Sequence, residues 1–296
     1  MRPRLKWLSV AVMAIALIGV DVSARQTKPA QPPKSVRLYV FDCGVINVNR
    51  AGTERYKVTP EEVGETRFSV PCFLVAHPKG TLMWDLGILP DETVEARARG
   101  EQGNPTATSA AVTTVPRTLA SQLAEIGYRP TDITYFAFSH AHTDHNANAN
   151  LFAKSTWLAR PAERAFMWEE GNTRVNRTFF ENIKSSKSIS LDKDEYDVFG
   201  DASVILKAAP GHSPGHQVMV LNLPKTGRIM NAGDLYHYPQ ERTLHRPPPD
   251  TEANVQQSAA SRVMIEEYLK KTKTEIWISH DFVANAKLKK SPAYYE

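Results

Sequence analysis

One short segment limits most strongly what this chain can fold into. It follows residues 133–138, an apolar run of strand-forming residues, and it carries His140, His142, Asp144 and His145, whose side chains borderline divalent metals favour. Residues i and i+2 at the end of an extended strand share a face, so His140 and His142 can converge on one ion. The chain then turns, which lets Asp144 and His145 reach a second ion. The spacing therefore predicts a metal centre where a strand meets its loop.

Three further side chains of metal-binding type also follow predicted strands. His212, Asp234 and His280 each come within a few residues of the end of an apolar run. Loops that follow strands gather at one edge of a sheet, and functional side chains concentrate on such loops. We therefore expect these three residues at the same edge as the first group.

The rest of the chain mixes strand and helix patterns, which predicts an α/β protein. The composition is that of a globular domain, with 42% hydrophobic and 23% charged residues. Segment 90–114 is polar and rich in small residues, and it is predicted to be a long loop that acts as a lid, binds a ligand or is disordered. Predicted helices span 116–127, 161–170 and 252–271, and predicted strands span 36–42, 68–76, 81–85, 133–138, 156–159, 203–208, 217–223, 228–231 and 275–279.

The N-terminal segment 1–24 has the pattern of a secretory signal peptide. Basic residues precede an apolar run at 7–20, and small residues mark a cleavage site after Ala24. The run is shorter than the roughly 20 residues that span a bilayer as a helix. Residues 25–35 form a Pro-rich linker, and 36–296 form the folded domain. The sequence thus predicts a periplasmic or secreted protein with no stable membrane anchor after cleavage.

Charge and cysteine content exclude one class of partner and leave one question open. The formal net charge is +4, and no basic block alternates with aromatic residues, so nucleic acid is excluded as a partner. Cys43 and Cys72 lie on the first two predicted strands. In an oxidising compartment they can form a disulfide, and two buried free thiols are the alternative.

The order of these side chains resembles that of the dinuclear hydrolases of the metallo-β-lactamase superfamily. Those enzymes carry His-x-His-x-Asp-His, a downstream Gly-His, a bridging Asp and a final His, and Asp85-Leu86-Gly87 is similar to their early Asp-x-Gly. The resemblance implies a four-layer αββα sandwich of mixed sheets with the metal site at one edge. It also implies two divalent ions, zinc first among the candidates, one held by His140, His142 and His212, the other by Asp144, His145 and His280, with Asp234 bridging.

The sequence around these residues is similar to that of the N-acyl-homoserine lactonase group, notably at 139–146, 211–217 and 279–281. This resemblance implies a hydrolase that opens the lactone ring of N-acyl-homoserine lactones, which is quorum quenching, by attack of a hydroxide that bridges two metal ions. A thioesterase similar to glyoxalase II, an organophosphate or aryl-ester hydrolase, and a non-enzymatic metal-binding member are the alternatives. The expected partner is a small lactone or ester, and the sequence leaves open whether the protein forms a homodimer.

One position departs from the lactonase pattern. Those enzymes have a tyrosine three residues after the bridging aspartate, whereas this chain has His237 there and Tyr236 one residue earlier. Either side chain could donate a hydrogen bond to the reacting carbonyl. Asp144 is the predicted proton carrier. The predicted catalytic residues are therefore Asp144, Tyr236 and His237.

Overall fold

Two mixed β-sheets pack face to face and form the centre of the molecule. The computed structural model describes residues 30–101 and 113–296, so the predicted signal peptide and residues 25–29 of the predicted linker lie outside the described residues. The first sheet contains β1 (Arg37–Ile46), β2 (Phe68–His77), β3 (Gly80–Trp84), β4 (Thr113–Thr114), β5 (Tyr135–Ala137), β6 (Thr156–Ala159), β7 (Ser188–Ser190) and β13 (Tyr294–Tyr295). The second contains β8 (Glu195–Asp197), β9 (Val204–Ala208), β10 (Gln217–Leu223), β11 (Gly227–Asn231) and β12 (Glu275–Trp277).

The strand order brings antiparallel and parallel pairs into each sheet. The first sheet has the order β13-β1-β2-β3-β5-β6-β7, with β4 on the far end of β1, and the second has the order β12-β11-β10-β9-β8. β3, β5, β6 and β7 run parallel, as do β11 and β12, and the other pairs are antiparallel. Because β5 and β11 both end at the same side of the sandwich, their following loops can meet there.

Helices cover the outer faces of both sheets. Within the described residues they are α1 (Arg50–Glu54), α2 (Pro60–Val63), α3 (Asp91–Ala98), α4 (Leu119–Glu125), α5 (Thr143–Asn146), α6 (Pro161–Trp168), α7 (Pro239–Thr243), α8 (Val255–Thr272) and α9 (Phe282–Asn285). Short 3-10 helices span Pro130–Asp132, Ala149–Phe152, Arg177–Phe179 and Glu181–Ser185. In this part of the chain no helix combines the length and the apolar character needed to cross a membrane.

Three apolar clusters hold the layers together. Between the sheets, side chains such as Trp84 and Phe73 from the first sheet meet Met219 from the second. Leu119 and Leu123 of α4 pack in the cluster on the outer face of the first sheet. On the outer face of the second sheet, α8 buries one side of its 18 residues against β10 and β11. The predicted four-layer αββα sandwich is thereby confirmed.

Most predicted elements are present, and one prediction is wrong. The strands predicted at 156–159 and 217–223 have those bounds. The segment 90–114, predicted to be a loop, contains helix α3. The carboxylate of Asp91 explains this helix, because it accepts hydrogen bonds from the backbone of Leu119 and Ala120 at 2.7 and 2.8 Å and so ties the start of α3 to the start of α4. Residues 102–112 of that prediction lie outside the described residues.

Cys43 and Cys72 form a disulfide, which resolves the question that the sequence left open. Cys43 lies on β1 and Cys72 on the neighbouring β2, and their Cα atoms are 5.8 Å apart. The bond therefore joins two strands that already pair, close to the start of the loops on that side of the first sheet.

The disulfide is expected to contribute to stability by restricting the unfolded chain. Replacing both cysteines, C43A with C72A, should lower the free energy of unfolding by about 3 kcal/mol, because the bond closes a loop of intermediate length. Urea unfolding of the oxidised wild type, the reduced wild type and the double variant measures this difference. A loss below about 0.5 kcal/mol, the scale of ordinary surface substitutions, would contradict the prediction.

Candidate metal centre

Three histidines and one aspartate meet after β5 and the strands of the second sheet. His140 Nε2 lies 2.8 Å from His142 Nδ1 and 3.2 Å from His212 Nε2, and His212 Nε2 lies 2.9 Å from His142 Nδ1. Asp234 Oδ2 is 3.3 Å from His212 Nε2 and 3.6 Å from His140 Nε2. Four donor atoms thus surround one point, and these four residues form a group that could hold a metal ion.

A second group lies on the other side of the same aspartate. Asp234 Oδ1 is 3.1 Å from His145 Nε2 and 3.2 Å from His280 Nε2. Asp144 Oδ2 lies 3.6 Å from His145 Nε2 and 3.4 Å from His280 Nε2. The two oxygens of Asp234 therefore face different groups, as those of a carboxylate that bridges two ions would. The sequence motifs, far apart along the chain, are brought to one place.

The loops reach this place because the backbone packs tightly around them. Asp234 follows Gly233, which has a positive φ of 51°, and a Cβ there would lie 2.6 Å from Ser139 Cβ and 2.7 Å from His216 Nε2. A Cβ on Gly215 would lie 2.5 Å from the backbone nitrogen of Glu163. Side chains larger than hydrogen do not fit at these two positions, so glycine permits the close approach of the loops.

The outward-facing ring nitrogens of the histidines have partners, and these fix which nitrogen faces the centre. His145 Nδ1 lies 3.1 Å from Asp85 Oδ2, and His212 Nδ1 lies 3.1 Å from Glu252 Oε1. His280 Nδ1 lies 2.9 Å from the carbonyl oxygen of Ser69. Such contacts orient a metal-binding imidazole and raise its basicity.

Glu163 holds two of the loops to each other. Its fully buried carboxylate accepts hydrogen bonds from Ala141 N at 2.6 Å, Ser213 Oγ at 2.7 Å and Gly215 N at 2.8 Å. Burial raises the pKa of Glu163, although these three donors oppose the shift. The acceptor lies between the loop that carries His140 and the loop that carries His212, so it sets their separation.

His216 supports the centre from outside. Its Nε2 accepts a hydrogen bond from the backbone N–H of Asp234 at 3.0 Å, and its Nδ1 contacts the carbonyl oxygen of Ala209 at 2.8 Å. The first contact requires an unprotonated Nε2 and the second a protonated Nδ1. Both ring nitrogens are therefore engaged, and the ring holds the backbone of Asp234 in place.

The charges at the centre differ between its two sides. Burial and the neighbouring imidazoles lower the pKa of His140 and His212 well below the ordinary value, and burial with the charge of His212 lowers the pKa of His142 to about 3. Burial also opposes protonation of His145, but Asp234, Asp144 and Asp85 outweigh it and raise its pKa well above the ordinary value. The carboxylates thus favour a positive charge on the Asp144 side of the centre.

The residues fit a pair of divalent metal ions. The donor set consists of imidazole nitrogens and carboxylate oxygens, the ligands that zinc and related ions take. His145 Nε2 and Asp234 Oδ1 are buried without a hydrogen-bond partner, and both point into the second group. Buried polar atoms without partners are rare in folded proteins, and a cation would satisfy both.

The other two predicted catalytic residues lie in different environments. His237 Nε2 is 3.2 Å from Asp234 Oδ2, and its ring stacks on that of His280 with centroids 5.5 Å apart. The hydroxyl of Tyr236 instead donates to Glu266 Oε1 at 3.2 Å, and its ring packs under α8. The structure therefore brings His237 to the centre and leaves Tyr236 outside it.

Sequence reasoning missed Tyr56, which comes to the centre from the segment after α1. Its ring lies 4.1 Å, centroid to centroid, from that of His237. No group in the described part of the chain makes a hydrogen bond to its hydroxyl, although Thr53 and Thr66 contact the neighbouring Tyr238. Burial raises the pKa of Tyr56 well above the ordinary value, and Asp234 and Asp144 add to the shift, so the hydroxyl keeps its proton. A lone tyrosine after a short helix carries no sequence pattern that would have revealed it.

A cavity of about 490 Å³ opens over both groups. Its floor contains residues of the centre, and its walls combine apolar side chains with Tyr56 and two arginines. The lining residues are Ile46, Val48, Asn49, Gly52, Arg55, Tyr56, Phe68, His142, Thr143, Asp144, Arg174, His212, Asp234, His237, Thr251 and His280. A small molecule can therefore reach the centre from solvent.

The comparison with protein families agrees with this geometry. The model described as "Metallo-beta-lactamase superfamily" matches residues 66–269, more than half of the chain. The chain belongs to the metallo-β-lactamase superfamily. The matched region includes His140, Asp144, His212 and Asp234 of the centre, and His280 follows it.

Individual relatives and solved structures are similar over most of the chain. "N-acyl homoserine lactonase AttM" of Azorhizobium caulinodans is 26% identical over 266 residues, which is 88% of this chain and 99% of the relative. An N-acyl homoserine lactone hydrolase solved with N-hexanoyl-L-homoserine at its catalytic metal centre has a TM-score of 0.69 at 22% identity, covering 88% of this chain and 99% of the other. The dizinc quorum-quenching lactonase AidC has a TM-score of 0.61 at 17% identity, covering 91% and 96%. The two solved structures share the fold of this chain.

The position of Glu163 leads to a prediction about the stability of the centre. In E163Q one carboxylate oxygen becomes an amide group that faces backbone or hydroxyl donors, so at least one of them loses its acceptor. The free energy of unfolding should fall by about 2 kcal/mol. Metal affinity, measured by competition with a chelator, should fall with it because the two histidine loops are no longer held together.

The matched control for this prediction is E170Q. Glu170 is exposed in the turn that follows α6, and its substitution removes the same charge without touching the two histidine loops. E170Q should keep wild-type stability and metal affinity. An E163Q protein that matches E170Q in both measurements would contradict the role assigned to Glu163.

Proposed function

We propose that this protein is a metal-dependent hydrolase that opens the lactone ring of N-acyl-homoserine lactones. The observation that carries the proposal is the position of Asp234, whose two carboxylate oxygens face separate donor groups beneath an open cavity. Two ions bound by these groups would suit the attack of water on an ester or lactone carbonyl. The lactonase names of the relatives favour lactones over the thioesters and phosphotriesters that other enzymes of the superfamily hydrolyse.

The proposed metal ligands divide between the two donor groups. His140, His142 and His212 would hold one ion, Asp144, His145 and His280 would hold the other, and the carboxylate of Asp234 would contribute to both. We propose zinc, since nitrogen-rich sites with a few carboxylates suit it and a related solved lactonase is described as dizinc. When bound, the ions would polarise the lactone carbonyl and lower the pKa of the attacking water.

Side chains of the cavity handle protons and position the substrate. Asp144 lies in the cavity lining, and its carboxylate is the proposed acceptor for the proton that the attacking water loses. Tyr56 keeps its proton, and its hydroxyl has no hydrogen-bond partner among the described residues, so it is the proposed donor to the oxygen of the opening ring. His237 packs its ring against that of Tyr56 at an interplanar angle of 33° and keeps its Nε2 close to Asp234.

We further propose that residues 1–24 are removed as a signal peptide and that the enzyme acts in the periplasm or outside the cell. The basic start, the apolar run and the small residues before Arg25 support this proposal. The disulfide between Cys43 and Cys72 is consistent with an oxidising compartment.

Removal of the bridging carboxylate charge tests the proposed function. D234N should lose bound metal and should lower the rate of acid release from N-hexanoyl-homoserine lactone more than about 100-fold, because both ions lose a ligand. Elemental analysis and pH-stat titration of the same preparations measure the two effects. D192N is the control, since Asp192 is exposed, lies outside the cavity lining and accepts a hydrogen bond from the nearby Ser190 Oγ at 2.7 Å. A D234N enzyme with two ions and full turnover would contradict the proposal.

The role of Tyr56 is tested against that of Tyr236. Y56F should lower kcat for the lactone about 100-fold without changing the metal content, because the oxygen that accumulates charge loses one donor. Y236F removes a hydroxyl that contacts Glu266, and its kcat should stay within about twofold of wild type because Tyr236 does not line the cavity over the centre. Equal losses in both variants, or a loss in Y236F alone, would overturn this assignment.

A further inference from the structure

Two arginines line the cavity without a carboxylate partner. Arg55 follows the end of α1, and Arg174 lies in the loop between α6 and the 3-10 helix Arg177–Phe179. Most other exposed arginines near acidic residues form ion pairs, as Arg50 does with Glu54 and Glu61. In residues 30–101 and 113–296, no carboxylate oxygen lies within 4.0 Å of the guanidinium nitrogens of Arg55 or Arg174.

The guanidinium group of Arg174 is held at the cavity by the surrounding loop. One of its terminal nitrogens donates to the carbonyl oxygen of Thr251, itself a lining residue, at 3.0 Å. The backbone N–H of Arg174 donates to Asn172 Oδ1 at 2.9 Å, and the amide of Asn172 donates to the carbonyl oxygen of Phe166 at 2.7 Å. Arginine carries five N–H donors, so most of those of Arg174 stay free for a ligand.

Arg55 is held less tightly, next to a residue of the centre. Its guanidinium carbon lies 5.7 Å from the centroid of the Tyr56 ring, within the range of a cation–π contact. Arg55 and Arg174 come from separate segments, and both line the cavity of about 490 Å³ that opens over the donor groups.

Outside the metal centre, the side chains that line this cavity carry positive charge without negative charge to balance it. The acidic lining residues, Asp144 and Asp234, belong to the centre, where bound cations would offset their charge. The remaining walls are apolar or neutral apart from the two arginines. A purely aliphatic acyl chain would give these guanidinium groups nothing to bind.

We propose that the preferred substrate is a lactone whose acyl arm carries an anionic group, a carboxylate or a phosphate, which Arg55 and Arg174 bind. Guanidinium groups form short, charge-assisted and often bidentate hydrogen bonds with both anions. This inference rests on the proposed function and names the substrate class of the same site. The apolar walls accommodate the carbon chain between the lactone ring and the anion.

The test compares three lactones with the metal-loaded enzyme: N-hexanoyl-homoserine lactone, N-adipoyl-homoserine lactone and the 6-phosphonohexanoyl analogue. At low salt, at least one anionic lactone should exceed the hexanoyl lactone in kcat/KM by about tenfold, as expected for two charge-assisted contacts. Raising the salt from about 50 mM to about 0.5 M should reduce this preference, because these contacts are exposed to screening. The better of the two anionic lactones identifies the anion as carboxylate or phosphate.

Variants assign the preference to the two arginines. R55Q and R174Q should each reduce the ratio of anionic to hexanoyl kcat/KM about threefold, a size typical of solvent-accessible charge pairs. The double variant should bring the ratio close to one. R228Q is the control, because Arg228 lies on β11 and does not line the cavity, and it should keep the wild-type ratio.

The same measurements distinguish failure of the anion-binding inference from failure of the proposed lactonase function. If the hexanoyl lactone is opened at least as fast as both anionic lactones, or if the preference survives in the double variant, the anion-binding inference is overturned while the proposed lactonase function stands. If no lactone is opened by the metal-loaded enzyme, the proposed function fails, and the inference that rests on it fails too.

Discussion

The burial of many ionisable groups around Asp234 is the constraint on which the rest of this structure depends. Charged side chains are costly to bury unless opposite charges and hydrogen bonds compensate them. Here the carboxylates of Asp85 and Glu252 contact the outward-facing ring nitrogens of the histidines, and that of Glu163 accepts hydrogen bonds from the loops. The donor atoms that face the centre are left to bind cations. The two sheets provide the rigid edge on which these loops meet. The two sheets therefore keep the metal-binding side chains at fixed distances from one another.

The part of the site that could be predicted from the sequence consists of residues that lie close together along the chain. His140, His142, Asp144 and His145 stand close together after an apolar strand, and a strand end places alternate residues on one face. His212 and Asp234 were found because they too follow strands, and strands are recognisable from apolar content. For the same reason the αββα architecture and most strand positions agreed with the structure, whereas the bounds of helices and strands shifted by a few residues.

The part that escaped prediction depends on contacts between distant segments. Glu163 accepts hydrogen bonds from two loops, and no pattern in the helix that carries it distinguishes it from a surface glutamate. Helix α3 was missed because its start is fixed by the carboxylate of Asp91, which contacts backbone 28 and 29 residues later. The choice between Tyr236 and His237 required coordinates as well, since adjacent side chains diverge and only packing under α8 decides which one turns away from the centre.

The most direct test of this account is an anomalous-diffraction experiment on crystals of the metal-loaded protein, with data on both sides of the absorption edge of the metal. We predict two peaks, one on each side of the Asp234 carboxylate, the first among His140, His142 and His212 and the second among Asp144, His145 and His280. A single peak would contradict the prediction that Asp234 contacts two bound ions. Metal bound elsewhere, with no contact to Asp234, would contradict it too.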